Sequence, residues 1–205
     1  MPVIKILSNP SYKIGIWELS NSEYDSNHCG IIHPNYHKEF NEFKNEKRKW
    51  QIYGTKMLFN ELCKEGDLVS KNRIPQIENL NKDISITHTN QIIAIIIADY
   101  PCGIDIESRD RDVSRIKHKF LNKDDFTNGN HLENLIQNWC MKEVLYKIKK
   151  DNTVLFNDHL IIKKNYIGFS GYCKHPEFSF SSNIKLIEYN NYFLAFNLDY
   201  IVNHD

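Results

Sequence analysis

Two short motifs contain the residues of this chain that are best suited to chemistry. The first is the run Gly-Ile-Asp-Ile-Glu at residues 103–107, and the second is Trp-Cys-Met-Lys-Glu-Val-Leu-Tyr-Lys at residues 139–147. Carboxylates without helpful His or Cys partners suit a hard divalent ion such as Mg²⁺, and a nearby lysine suits a phosphate. Together the motifs predict phosphoryl-type transfer, in which positioning and charge neutralisation do most of the catalysis.

The first motif is predicted to be a β-strand. On a strand, Asp105 and Glu107 point to one face, about 7 Å apart along the chain. The alternating Ile104 and Ile106 point to the other face and can be buried. Because paired acids are also common at a solvated strand edge, this motif alone leaves both interpretations open.

The second motif is predicted to be a helix. Glu143 and Lys147 are four residues apart and therefore share a helix face, with Trp139 one turn earlier on the same face. The alternative for such a pair is a surface ion pair worth about 0.3–0.5 kcal/mol. The pair favours a functional site only when it is combined with the first motif.

Hydrophobic periodicity and turn residues predict the elements that position these motifs. The predicted strands are residues 3–7, 12–19, 84–89, 91–98, 104–107, 184–189 and 192–198. The predicted helices lie within residues 38–64, at 113–121 and at 131–149, the last with Asn130 as its N-cap. Residues 66–82 are predicted to form a loop. This order predicts an α+β fold of two similar halves that meet near residue 100.

Composition excludes several classes of function. The chain has 26 basic and 26 acidic residues, so its net charge does not call for nucleic acid or an anionic membrane as a partner. Its five cysteines are scattered, which argues against a disulfide framework or a zinc site and favours a reducing compartment. The longest apolar run, residues 92–98, is too short to cross a bilayer, and the N-terminus is too polar for a signal peptide. We expect a cytoplasmic protein.

At these motifs the chain resembles the 4′-phosphopantetheinyl transferases of the longer, surfactin-synthetase-activating type. That family carries a G-(I/V)-D-(I/V)-E strand and, some tens of residues later, a W-x-x-K-E-(A/S)-x-x-K helix, where this chain has Val144 at the Ala or Ser position. A third similar run is Ile-Ser-Ile-Thr-His-Thr at residues 84–89. The resemblance implies a monomer whose two α+β halves, residues 1–100 and 101–205, are related by a pseudo-twofold axis.

The resemblance also implies an activity. The family moves the phosphopantetheine arm of coenzyme A onto a serine of an apo acyl or peptidyl carrier protein and releases adenosine 3′,5′-bisphosphate. By position, Asp105, Glu107 and Glu143 would hold Mg²⁺, with Mn²⁺ as an alternative, in the C-terminal half. Glu143 or a metal-associated water would take the serine proton, and Lys147 would neutralise or protonate the leaving phosphate.

Coenzyme A is implied to bind mainly through the N-terminal half. The implied binding residues are Lys47, Arg48, Lys56, Arg73, Thr87 and His88, the last on the 3′-phosphate. The family has Arg at the position of Lys56, and lysine retains the charge without the bidentate fork. The family also has a basic residue directly before the proline that matches Pro75, where this chain has Ile74.

The carrier protein is implied to contact residues 108–121. This segment has a basic lean, offset by Asp110 and Asp112, and its basic residues are Arg109, Arg111, Arg115, Lys117 and Lys119. Because carrier proteins are acidic around their serine, the charges are complementary. A solvated helix face explains the same residues equally well.

Two other classes of function remain as alternatives. The first is a non-catalytic module of the same fold that binds coenzyme A or a carrier protein, which the substitutions at Lys56 and Ile74 motivate. The second is a Mg²⁺-dependent nuclease, which needs only carboxylates and lysines but is disfavoured by the neutral overall charge.

Overall fold

A computed structural model of the protein describes residues 3–18, 44–89, 91–127 and 131–203. Its helices are α1 (Glu46–Leu62), α2 (Lys117–Phe120), α3 (His131–Lys149) and α4 (Phe156–His159), with a 3-10 turn at Ser114–Ile116. Its strands are β1 (Val3–Asn9), β2 (Tyr12–Glu18), β3 (Asp67–Lys71), β4 (Ile74–Glu78), β5 (Asp83–His88), β6 (Ile92–Ala98), β7 (Ile104–Ser108), β8 (Leu160–Asn165), β9 (Gly168–His175), β10 (Phe178–Tyr189), β11 (Tyr192–Asn197) and β12 (Ile201–Val202). The antiparallel sheets and helices confirm the predicted α+β class. The predicted N-cap Asn130 and residues 38–43 lie outside the described residues.

The first sheet has the strand order β1-β2-β6-β5. Its central strand β6 is buried on both faces, which explains its continuous apolar sequence. Ile93 and Ile95 pack in one cluster with Trp50 of α1, whereas Ile92 and Ile96 pack in another cluster with residues of the second sheet. The first sheet is therefore a layer between α1 and the second sheet.

The second sheet has the strand order β7-β11-β10-β9-β8, with β12 paired to β10. Helix α3 covers one of its faces through a cluster that includes Met141, Leu145 and Phe193. On β7, Ile104 and Ile106 pack in the cluster between the two sheets. Because side chains alternate along a strand, Asp105 and Glu107 are directed to the side that α3 covers.

The prediction of a loop at residues 66–82 is wrong, since β3 and β4 form a hairpin there. Its turn residues Asn72 and Arg73 have φ angles of 53° and 66°, the left-handed backbone that two-residue hairpin turns require. Asn-Arg lacks the glycine that usually signals such turns, so no local pattern indicated the hairpin. Ile77 of β4 is buried in the α1 cluster, which holds the hairpin beside the first sheet.

Other local predictions agree better with the structure. The predicted hairpin at residues 184–198 is confirmed, because β10 and β11 pair in register through Tyr189 and Tyr192 around a two-residue turn. The predicted helix at residues 113–121 is split into the 3-10 turn and the four residues of α2. Within the described ranges, no helix is long and apolar enough to cross a membrane.

Candidate functional site

The edge strands of the two sheets, β5 and β7, lie side by side and are joined by side chains. Ile104 donates its backbone N–H to Ser85 Oγ at 3.2 Å, and Thr87 Oγ1 donates to Asp105 Oδ1 at 3.0 Å. Both contacts use polar residues on the face of β5 opposite the α1 cluster. They fix Thr87, a residue implied in coenzyme A binding, directly against an implied metal ligand.

Gly103 lets helix α3 approach β7 closely. A Cβ atom at this position would lie 2.2 Å from the carbonyl oxygen of Val144, a distance that no side chain can tolerate. Cys140, one turn earlier on α3, donates its thiol to the Asp105 carbonyl oxygen at 3.4 Å. The glycine of the first motif therefore brings the second motif into contact with it.

The close approach pairs Lys147 with Asp105 rather than with Glu143 on its own helix. Lys147 Nζ donates to Asp105 Oδ1 at 2.7 Å and to the Ile104 carbonyl oxygen at 3.0 Å. Asp105 is only 4% exposed, and its second oxygen, Oδ2, is buried without a hydrogen-bond partner. Buried polar atoms are nearly always satisfied, so this oxygen is available to a further group.

Glu107 is held by two residues that the sequence did not single out as its partners. Trp139 Nε1 donates to Glu107 Oε1 at 2.8 Å, and the Arg111 guanidinium donates to the same oxygen. Burial and the charge of Asp105 raise the pKa of Glu107, while Arg111 and Trp139 act in the opposite direction. The position of Trp139 on the helix face could be predicted, but the contact of Arg111 depends on a turn after β7.

Glu143 differs from the other two acids because no hydrogen bond or ion pair ties its carboxylate down among the residues that the structure describes. Burial, followed by repulsion from Asp105, raises its pKa to about 7. At neutral pH the carboxyl is therefore close to half ionised. A group with such a pKa can both accept and release a proton under ordinary conditions.

The three acids fit a divalent ion in chemistry, although the side chains of Asp105 and Glu107 are turned to other partners. In the described part of the chain, no three His, Cys, Asp or Glu side chains are arranged closely enough to hold an ion. Lys147 and Arg111 instead neutralise Asp105 and Glu107. The all-oxygen donor set, the unpartnered Asp105 Oδ2 and the mutual repulsion of the acids are the properties that a hard cation would satisfy.

Two adjoining clefts meet at His88. The acidic cleft has a volume of about 330 Å³, and its lining includes Thr87, His88, Asp105, Glu107 and Arg111. The basic cleft has a volume of about 570 Å³, and its lining includes Arg48, Lys56, Arg73, Pro75 and His88. Because His88 lines both clefts, one extended ligand could contact both.

Arg48 and His88 are neighbours at the junction of the two clefts. Arg48 Nη1 lies 3.4 Å from His88 Nε2, and since arginine can only donate, this contact leaves the ring proton on Nδ1. Burial and the charge of Arg48 lower the pKa of His88. The imidazole is therefore neutral at neutral pH and can donate a hydrogen bond through Nδ1.

The other implied coenzyme A residues divide into two groups. Lys56 of α1 and Arg73 of the β3–β4 turn both line the basic cleft, and burial lowers the pKa of Lys56. Arg73 thus reaches the cleft although Ile74 stands at the position that is usually basic. Lys47 is exposed on α1 and is not among the residues that line either cleft.

Lys142, which lies inside the second motif, was not assigned a role from the sequence. Its ammonium group is fully buried, 2.7 Å from Asp125 Oδ2 and 2.6 Å from the Phe120 carbonyl oxygen. The carbonyl oxygens of Phe156 and Leu160 accept its other hydrogen bonds. Lys142 therefore attaches α3 to α2, α4 and β8, while the next residue, Glu143, belongs to the acidic site.

The basic residues of the segment 108–121 fall into two groups, one that forms ion pairs and one that is exposed. Arg109 forms ion pairs with Glu133 and Glu188, and Arg111 pairs with Glu107. The remaining basic residues are exposed, and they are Arg115, Lys117 and Lys119. Only this second group presents its charge outward.

Similarity to known proteins does not decide what this chain does. No family model matches the chain, and no curated protein matches it either. Its function is therefore inferred from the two clefts and from the residues that line them.

Proposed function

We propose that this protein transfers the 4′-phosphopantetheine arm of coenzyme A to a serine of an apo acyl or peptidyl carrier protein. One observation carries the proposal: Asp105, which pairs with Lys147, lines an acidic cleft that meets a basic cleft at His88. A coenzyme A molecule has a matching order of groups, with a phosphorylated nucleoside at one end and a diphosphate next to it.

The basic cleft is proposed to bind the nucleotide end. Arg48, Lys56 and Arg73 bring positive charge to it, which suits the 3′-phosphate and the neighbouring diphosphate. The neutral His88 supports the same assignment, because its Nδ1–H can donate to a phosphate oxygen without a proton being taken up first. Lys47 adds long-range positive charge from α1.

The acidic cleft is proposed to carry out the transfer. Asp105, Glu107 and Glu143 would hold Mg²⁺ or Mn²⁺, which supplies charge neutralisation at the diphosphate when bound. The serine oxygen of the carrier forms a bond to the phosphorus next to the pantetheine arm, and the bond from that phosphorus to adenosine 3′,5′-bisphosphate breaks. Ionised Glu143 takes the serine proton, and the Lys147 ammonium neutralises the phosphate that leaves.

We further propose that residues 1–100 and 101–205 are related by a pseudo-twofold axis and that the protein acts as a monomer in the cytoplasm. In support, each half contains an antiparallel sheet covered on its outer face by one long helix, α1 or α3. The exposed basic residues of the segment 108–121 are proposed to meet the acidic surface of the carrier protein.

A transfer assay tests the proposal directly. The full chain is incubated with coenzyme A, Mg²⁺ and a panel of apo carriers from fatty acid, polyketide and peptide synthesis, and each carrier is weighed by mass spectrometry. We expect a mass gain of one phosphopantetheine arm on at least one carrier, and no gain when EDTA is added. A folded chain that modifies none of the carriers would contradict the proposal.

A second candidate is a non-catalytic module that binds coenzyme A or a carrier protein. The ion pairs of Lys147 with Asp105 and of Arg111 with Glu107 favour it, because a chain that no longer used a metal would neutralise these acids with its own cations. Calorimetry with coenzyme A, run beside the transfer assay, separates the two candidates. Binding without any modified carrier would support the module.

A further inference from the structure

Arg111 is the cation of the acidic cleft that the two motifs did not predict. Its guanidinium donates to Glu107 Oε1 and lies 5.4 Å from the centre of the Trp139 ring. Its side chain is 44% exposed, so it reaches from solvent to a buried acid. Trp139 donates to the same carboxylate oxygen, and the three groups form one compact unit at the edge of the cleft.

The charge of Arg111 is matched to the whole acidic site and not to Glu107 alone. Although burial by itself lowers the pKa of Arg111, the hydrogen bond and charge of Glu107 raise it, and the charges of Asp105 and Glu143 add to that effect. The guanidinium therefore neutralises part of the negative charge of all three acids, as a bound divalent ion would.

The two strand acids hold their cations in the same way, through one oxygen each. Lys147 and Thr87 both use Oδ1 of Asp105, which leaves Oδ2 buried and without a partner. On Glu107, Arg111 and Trp139 likewise both use Oε1. A divalent ion would therefore compete with a positive charge at each acid, and the more exposed of the two competing side chains is Arg111, at 44% against 24% for Lys147.

We propose that Arg111 is a built-in counter-ion that competes with the divalent metal ion for Glu107, holding the carboxylate until the metal displaces it. The proposal rests on the proposed function only in that the acids bind a divalent ion. Displacement is a side-chain movement, because Arg111 lies outside β7 in the turn where its N–H donates to the Ser108 carbonyl oxygen at 3.1 Å.

Displacement has a consequence for the proposed carrier surface. Arg111 belongs to the segment 108–121, and once it leaves Glu107 its charge joins the exposed basic residues that face an acidic carrier. Metal binding thereby strengthens the carrier surface, and by reciprocity an acidic carrier strengthens metal binding. The two binding events are therefore coupled, whichever of them comes first.

Binding of Mn²⁺ alone tests the competition without coenzyme A or a carrier. The free ion is measured by electron paramagnetic resonance during titration of the full wild-type chain, Arg111→Gln and Arg111→Lys. We expect Arg111→Gln to bind Mn²⁺ about 5-fold more tightly than the wild type, which corresponds to losing one partly exposed ion pair. Arg111→Lys should be intermediate, since lysine retains the charge but not the fork.

Arg115→Gln is the matched control because it removes the same charge from the same segment at an exposed position. Its Mn²⁺ affinity should equal that of the wild type, which separates local competition from long-range charge. A second readout is the indole N–H signal of Trp139 in a nitrogen-15 spectrum. Mg²⁺ should shift this signal in the wild type, where Arg111 leaves the ring, and shift it less in Arg111→Gln.

The inference is overturned if folded Arg111→Gln binds Mn²⁺ no more tightly than the wild type, or if neither protein binds it. It is also overturned if Arg115→Gln gains as much affinity as Arg111→Gln. Failure of the proposed transferase function gives a different result. In that case the chain shows the predicted Mn²⁺ competition but modifies no carrier, so the role of Arg111 stands and the proposed activity does not.

Discussion

The acidic cleft and the basic cleft hold their charges in different ways. Asp105 and Glu107 are 4% and 8% exposed. They lie on β7, which packs closely against α3 because Gly103 has no side chain. Arg48 and Arg73 are exposed, one on the solvent side of a helix and the other in a hairpin turn. The fold therefore fixes the positions of the acids, whereas the positions of the cations in the basic cleft depend on the conformations of their exposed side chains. Changes in the acidic cleft should affect turnover, and changes in the basic cleft should affect affinity.

The largest effect is expected from Asp105→Asn, which keeps the shape of the side chain and removes its charge. Lys147 loses its ion-pair partner and the proposed metal site loses an anionic ligand, so transfer to an apo carrier should fall by roughly 10²–10³-fold. The rate is measured by mass spectrometry and the fold by circular dichroism. Asp99→Asn is the control, since Asp99 pairs with Lys82 on the surface. Undiminished transfer by Asp105→Asn would refute the role given to the acidic cleft.

A somewhat smaller loss is expected from Lys147→Met, which preserves the length of the side chain without its ammonium group. The phosphate that leaves would no longer be neutralised, and kcat should fall about 10²-fold with little change in the KM for coenzyme A. Lys149→Met changes the same residue type on the same helix, where Lys149 lies over the Phe178 ring. Equal losses in the two variants would show that helix stability, not the site, is responsible.

Glu143→Gln tests whether burial and repulsion from Asp105 oppose the ionisation of Glu143. The pKa of Glu143 is raised from 4.5 to about 7, so its ionisation opposes folding as the pH rises from about 4.5 to 7. The variant should therefore be more stable than the wild type at pH 8, by about 1–3 kcal/mol. This gain should disappear below about pH 4.5, where the carboxyl is protonated in both the folded and unfolded states.

Urea unfolding at pH 4 and at pH 8, with EDTA present, measures this difference. Glu133→Gln provides a control on the same helix, because Glu133 forms an ion pair with Arg109 and its loss should not stabilise the protein. A stability gain for Glu143→Gln that is the same at both pH values would contradict the assigned repulsion.

The smallest effect is expected in the basic cleft, from Arg73→Asn. Asparagine is chosen because the φ angle of 66° at this position strains most residues but is tolerated by Asn. Loss of one exposed charge should raise the KM for coenzyme A about 5-fold and leave kcat unchanged. Lys71→Asn in the same hairpin, where Lys71 pairs with Glu78, should leave both constants unchanged. A fall in kcat for Arg73→Asn would remove the distinction between the two clefts.

Local sequence rules predicted the parts of the acidic cleft that depend on one element at a time. The alternation of acids and isoleucines in the first motif indicated which side chains of β7 share a face, although both faces are buried. The spacing of the second motif indicated that Glu143 and Lys147 share a helix face. The strands predicted at residues 184–189 and 192–198 also followed from local patterns, and β10 and β11 confirm them.

Contacts between elements could not be predicted in this way. Lys147 pairs with Asp105 because Gly103 lets α3 approach β7. The distance between a helix and a strand cannot be read from the sequence pattern of either one. The β3–β4 hairpin was missed because its turn uses Asn and Arg in a backbone conformation that usually indicates glycine. The partners of Lys142 were missed because they are mostly backbone carbonyl groups at the ends of other helices and strands.

The position of His88 at the junction of the two clefts has a consequence for inhibitor design. A compound could join an anionic group, for the basic cleft, to a group that chelates the proposed metal ion of the acidic cleft, by a short linker past this histidine. Once one group binds, the other is held beside its site at an effective concentration in about the millimolar range, so two weak fragments gain affinity by roughly 10²–10⁴-fold together. The junction thus makes selective bivalent inhibition possible with fragments that bind weakly alone.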